Sequence, residues 1–142
     1  MIRIYKSSVI DASIEKVWSK VRDFNDLPAW HPAIADSQIE NGEPSGKIGC
    51  IRNFNLQEGG NIREQLLAHS EVDHYTTYAI LESPMPVTGY SATLKLTEIT
   101  DGNRTFIEWS AEFDTEAETE MRELIGSGVF QGGFDALKEA LG

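Results

Sequence analysis

Cysteine is almost absent from this chain. Cys50 is the only one in 142 residues, so no intrachain disulfide can form. Such usage suits a reducing compartment, and a cytoplasmic location is the expectation. Positive charge is scarce too: 12 Lys and Arg face 23 Asp and Glu, a formal net charge of −11. That balance disfavours nucleic acid and anionic membranes, whose phosphates would be repelled; solubility is the plainer reading of it. No apolar run approaches the roughly 20 residues needed to span a bilayer. The opening residues, Met1 to Lys6, lack the apolar core of a secretory signal. No repeat or low-complexity tract is visible. His31, His69 and His74 show no metal-ligand spacing, and His69 and His74 read as surface residues. No Ser/His/Asp arrangement is visible, and Gly126-Ser127-Gly128 lacks the strand that a phosphate loop needs before it. Neither a metal nor a cofactor is therefore expected.

The length fits one domain over residues 1–142 with a real core. Its organising stretch is the last, from about Thr115 to Leu141. Met121, Ile125, Val129, Phe130, Phe134, Leu137 and Leu141 recur at three- and four-residue steps, a helical period. Thr115 can cap the start, and acidic residues crowd the first turn, where the helix dipole favours them. About 26 residues make a rod of about 39 Å, similar to the reach of an 11-residue strand at about 3.3 Å per residue. Gly126, Gly128, Gly132 and Gly133 interrupt it, each costing about 1 kcal/mol against Ala. Either two helices meet there, or one kinked helix carries a bare patch against which something lies. The apolar rows stay in register across the glycines, which favours the single helix.

Upstream, Ile2 to Ile10 reads as a strand. Ile14, Val17, Trp18 and Val21 then mark an amphipathic helix capped by Ser13 or Asp11. Asn25 to Pro28 allows a further short turn, and Pro32 pushes His31 toward an extended backbone. Strands follow at Ser37–Glu40, Ile48–Leu56, Ile62–Ala68, Tyr75–Leu81, Tyr90–Thr97 and Ile107–Phe113. Short turns join them, so the expectation is an antiparallel meander with one wet face, its other face covered by the C-terminal rod.

Two charges sit in the wrong phase of this meander. Arg52 shares its face with Cys50, Phe54 and Leu56, and Glu64 shares its face with Ile62 and Leu66. A three-residue loop Glu58–Gly60 pairs Arg52 with Leu66 and Phe54 with Glu64, leaving Arg52 and Glu64 diagonal neighbours on the inner face. Two charges in a dry core cost several kcal/mol each. A wet hollow between sheet and rod is the cheaper setting, against the alternative of a structural ion pair in a filled core. Trp109, Tyr78 and Tyr90 share the inner phase. Trp30 and His31 can close one end of the hollow, and the loop of Met85 and its flanking prolines can do likewise. Arg52 should hold Glu64 ionised, which favours orienting a polar head over proton transfer. Cys50 reads as a small buried hydrophobe.

These residues carry a resemblance. Asp11-Ala12-Ser13 with Val17-Trp18, Trp30-His31-Pro32, Gly49 with Arg52, Arg63-Glu64-Gln65-Leu66, Glu108-Trp109-Ser110 and Gly133 to Leu137 together resemble the polyketide cyclase/dehydrase-like proteins of the START and birch-pollen-allergen superfamily. The resemblance covers nearly the whole chain. It implies a helix-grip α+β fold: a curved antiparallel sheet, two short helices after the first strand, and a long C-terminal helix packed across the sheet. It also implies a cavity for hydrophobic or amphipathic small molecules, with the family's inner arginine, glutamate and tryptophan at Arg52, Glu64 and Trp109. The expected function is binding or carriage of such a molecule, with Arg52, Glu64, Tyr78, Tyr90, Trp109, Trp30, His31 and Met85 at the site. A cyclase or dehydratase working in the same cavity and a protein-interaction module are the alternatives.

Overall fold

Alternation writes most of the sheet. In Ile107, Trp109, Ala111 and Phe113, and in Tyr90, Ala92, Leu94 and Leu96, every second residue is buried. The computed structural model describes all of residues 1–142. Its strands are β1 (Ile2–Ile10), β2 (Ile34–Ile39), β3 (Ile51–Leu56), β4 (Asn61–Ser70), β5 (Tyr75–Glu82), β6 (Thr88–Ile99) and β7 (Arg104–Asp114). They form one antiparallel sheet in the order β1-β7-β6-β5-β4-β3-β2. The first strand thus closes against the last, and the rest is a meander. No helix is long and apolar enough to cross a membrane.

Two short helices follow β1. Helix α1 (Ile14–Val21) buries Ile14, Val17, Trp18 and Val21, and the Ser13 hydroxyl caps it by accepting from the Lys16 N–H. Helix α2 (Leu27–Trp30) has Pro28 in its first turn and ends at an extended His31, as Pro32 requires. Trp18 Nε1 donates to Glu71 at 2.7 Å, and Arg22 grips the same carboxylate, which ties α1 to the end of β4.

The C-terminal helix runs over residues 118–141 as three joined segments. Glu118–Met121 and Gln131–Leu141 are α-helical, and Arg122–Phe130 is wound as a π-helix. The backbone stays right-handed helical at both joins, at Arg122 and at Gln131. The single-helix expectation holds, and the bare patch is real. A Cβ at Gly133 would lie 3.0 Å from Trp109, 3.1 Å from Trp30 and 3.2 Å from His31. Thr115 does not cap the helix. Its hydroxyl accepts from the Ala117 N–H and donates to Pro86 O, fixing the turn before it.

Three details of the sheet differ from the sequence expectation. The second strand starts early, at Ile34, and the third starts late, at Ile51. The β3–β4 loop is longer than three residues: Asn55 pairs with Asn61, and the Leu56 N–H closes onto Gly60 O. Gly59 and Gly60 both take positive φ there, at 94° and 110°. The longer loop shifts register by two residues, so the inner face is kept while Arg52 comes directly opposite Glu64 and Phe54 opposite Ile62. Third, a bulge between Leu66 and Ala68 reverses the phase of β4. It turns His69 away from solvent to face Thr76 across the ladder, where it stacks on Trp18 with ring centroids 5.4 Å apart.

Candidate functional site

Strands β3 and β4 deliver one charge each to the concave face. Arg52 and Glu64 are both buried, with 6% of each exposed. Arg52 Nε donates to Glu64 Oε1 at 2.8 Å, and Nη2 lies 2.7 Å from the same oxygen. Nη1 donates to Phe24 O at 2.9 Å. The guanidinium also sits 4.1 Å above the Phe24 ring and 4.8 Å from the Tyr78 ring, a position that favours a cation. Every nitrogen of Arg52 is thus occupied or covered. Glu64 is not so complete: Oε2 takes no protein donor.

Burial raises the Glu64 carboxyl above its ordinary range, against the opposing pull of Arg52. The expectation from the sequence was the opposite direction, with the Arg52 charge outweighing burial. The desolvation of a fully enclosed carboxyl is the larger effect here.

A cavity of about 60 Å³ opens onto this pair. Glu64, Arg52, Tyr78, Tyr90, Trp109, His31 and Met85 all line it, with an apolar wall that includes Phe54, Ile62, Ile80, Ile125 and Val129. Seven of the eight expected site residues therefore meet. Trp30 does not line this cavity; it packs on Trp109 and beside Gly133. The hollow is also smaller than the sequence suggests. It holds a few waters, whereas pockets for drug-sized ligands run to about 300–1,000 Å³. Aromatic rings take up the difference: Trp109 stacks on Phe130 at 4.6 Å and donates its Nε1–H to Tyr78 Oη at 3.0 Å. Burial pushes the Tyr78 and Tyr90 hydroxyls well above their usual range, so both stay protonated.

His31 is held at both nitrogens. Nδ1 accepts from the Ala33 N–H at 3.2 Å, so Nε2 carries the proton that bonds Val129 O at 2.8 Å. The ring therefore ties α2 to the π-wound part of the C-terminal helix. Burial lowers its pKa, with Arg52 adding to the effect and the Val129 carbonyl resisting it. Below about pH 6.5 the unfolded chain takes up a proton that the folded one refuses, so stability falls with pH. Urea unfolding between pH 7 and 5.5 should show a loss of up to about 1 kcal/mol that His31→Gln lacks. Equal slopes in the two proteins would refute it.

An open groove of about 710 Å³ adjoins the cavity. Leu56 comes from the end of β3 and Glu58 from the β3–β4 loop, the β5–β6 connection supplies Pro84, Met85 and Pro86, and the first turns of the C-terminal helix supply Thr119, Glu120, Met121, Glu123 and Leu124. Leu56 and Met85 line both spaces. The Met85 loop thus borders both the hollow and the groove. The acidic side of the groove was not anticipated, because charges in a first helical turn read as dipole compensation. Phe24 was missed as well, although it lies three residues past Val21 and seven past Val17, in phase with the apolar face of α1. Burial also raises the Cys50 thiol, away from the reactive thiolate.

Comparison with known proteins agrees with this architecture. A family model described as polyketide cyclase/dehydrase and lipid transport matches residues 1–142. Among solved structures, the chain is similar to the protein XoxI from Bacillus cereus, with 32% identity and a TM-score of 0.88 over 99% of this chain and 96% of that one. It is similar to a putative uncharacterized protein from Bacillus thuringiensis, with 33% identity and a TM-score of 0.87 over 98% of each chain. A protein from Nitrosospira multiformis is 28% identical, with a TM-score of 0.88 over 99% of this chain and 97% of that one. No curated protein matches the sequence. With all of residues 1–142 matched and the sheet gripping the long C-terminal helix, this protein belongs to the polyketide cyclase/dehydrase and lipid transport family.

Proposed function

We propose that this chain binds a hydrophobic or amphipathic small molecule between the sheet and the C-terminal helix. The guest's polar end would sit at Glu64, Arg52 and the Tyr90 hydroxyl, and its apolar body against Phe54, Ile62, Ile80, Ile125 and Val129. One observation carries the reading: a buried ion pair with an unused acceptor oxygen faces a hollow whose wall is otherwise mostly apolar. A purely structural pair would have no reason to leave Oε2 open in so costly a setting. The closed hollow is too small for a sizeable guest, so entry requires Leu56 and Met85 to move toward the groove that they also line. Unbranched, flexible Met85 suits that role. A reducing, cytoplasmic setting fits the single buried cysteine.

Native mass spectrometry of freshly purified protein tests the reading, with thermal shift against lipids, sterols and aromatic polyketides. Retained ligand, or a rise in Tm of several degrees with one class, is the expected result. A bare mass together with no shift across the panel would overturn it. The raised Glu64 carboxyl favours a second reading, a cyclase or dehydratase that uses Glu64 as a general acid or base. Glu64→Gln would then abolish turnover of the guest while its binding survives; turnover that persists would remove Glu64 from that role.

A further inference from the structure

We infer that the guest enters through the groove beside Met85 and that it carries a positively charged, hydrogen-bond-donating head on an apolar tail. The inference rests on the binding reading above and adds the charge of the ligand. The groove has an apolar floor of Leu56, Pro84, Met85, Pro86, Met121 and Leu124, with Glu58, Glu120 and Glu123 on its sides, all three exposed. No lysine or arginine lines it. The nearest basic side chain on that stretch of helix, Arg122, is turned away: it bonds Glu118 and Arg3 O. The dipole at the helix start, equivalent to about half a positive charge, offsets only part of three carboxylates.

The second observation lies inside. Glu64 is 94% buried by its 6% exposure, and its Oε2 is an acceptor without a donor in the cavity that Leu56 and Met85 separate from the groove. An acidic approach therefore leads to an unfilled acceptor. Arg52, the one cation within, already spends three of its five N–H donors and most of its charge on Glu64 and Phe24 O, and its plane lies on two aromatic faces, so it draws an anionic head far less than a free guanidinium would. A carboxylate or phosphate head would be repelled on the way in and would meet Glu64 at the end. An ammonium head would be attracted along the path and paired at its close.

Decylammonium, decanol and decanoate, matched in chain length and titrated below their micelle concentrations, separate the possibilities by calorimetry. Decylammonium should bind about tenfold more tightly than decanoate, and added salt should narrow the gap. The triple variant Glu58→Gln, Glu120→Gln, Glu123→Gln should weaken decylammonium about three- to tenfold relative to decanol. Neutralising Glu15, Glu98 and Glu139, which lie away from the groove and are equally exposed, controls for net charge and should leave that ratio unchanged. Decanoate binding as tightly as decylammonium would overturn the inference and leave the binding reading standing. An equal effect of the two triple variants would do the same. Failure of all three probes to bind would overturn both.

Discussion

Arg52→Met should destabilise the protein by about 3–5 kcal/mol at pH 7, the range for stranding one partner of a buried ion pair. The loss has a clear origin. Glu64 keeps its desolvation but loses its only donors, both from Arg52, and the cation leaves the Phe24 and Tyr78 faces. It should also depend on pH in one direction. Without Arg52 the carboxyl, already raised by burial, rises further. A raised acid contributes its stability below its unfolded pKa and loses it as pH climbs through the folded one. The difference between Arg52→Met and the parent should therefore shrink as pH falls from 7 toward 5. Adding Glu64→Leu should recover most of the loss, since well-packed apolar side chains often match or exceed a buried pair in stability. Urea titrations of the two single variants and the double variant provide the cycle. A double variant no more stable than Arg52→Met would show that the pair does more for the fold than desolvation arithmetic allows. The double variant would also have no polar end to its hollow, so recovered stability with lost ligand binding would separate the fold's need for the pair from the guest's.

Gly133→Val should cost about 3 kcal/mol or more, and its neighbour offers an internal control. A Cβ at Gly133 would meet ring atoms of three residues at 3.0–3.2 Å. None can yield easily. Trp109 is stacked on Phe130 and bonded to Tyr78, and His31 is bonded at both nitrogens. Overpacking of this kind typically costs 1–3 kcal/mol and more for a branched side chain. Even Gly133→Ala, which should gain about 1 kcal/mol in helix propensity, should come out destabilising. At Gly132 nothing lies within 4 Å of the same added carbon, so Gly132→Ala should stabilise by up to about 1 kcal/mol. Thermal melts of the adjacent pair give the contrast directly. If both alanine variants stabilise, the aromatic cluster is looser than its packing implies.

Much of this was legible because strands and helices repeat with different periods. Arg52 and Glu64 had to share a face with Phe54 and Ile62, and a loop of odd length kept them on the same side. The loop's length itself was not legible: Glu58-Gly59-Gly60 looks like a complete turn, while Leu56 and Gln57 belong to it as well. The bulge in β4 left no mark, since Leu67 is an ordinary strand residue, and His69 was consequently assigned to the wrong face. The glycines of the C-terminal helix posed the right question, but only the contacts at Gly133 show what presses there. Periodicity says which side chains point inward and is silent on how far rings from facing elements interpenetrate. That is why the hollow looked larger from the sequence than its 60 Å³.

The pairing of the first strand with the last has a consequence for synthesis. Ile2 lies opposite Phe113, and β7 is the only neighbour of β1 in the sheet. On a ribosome adding roughly 5–20 residues per second, Ile2–Ile10 waits on the order of 5–20 s for its partner to be made. Ile4 and Ile10 stay uncovered throughout that interval, together with whatever part of the concave face has already assembled. The meander can begin to form while the chain is nascent; the docking of β1 onto β7 is a late event, and aggregation during translation should be governed by how well those first ten residues are shielded until then.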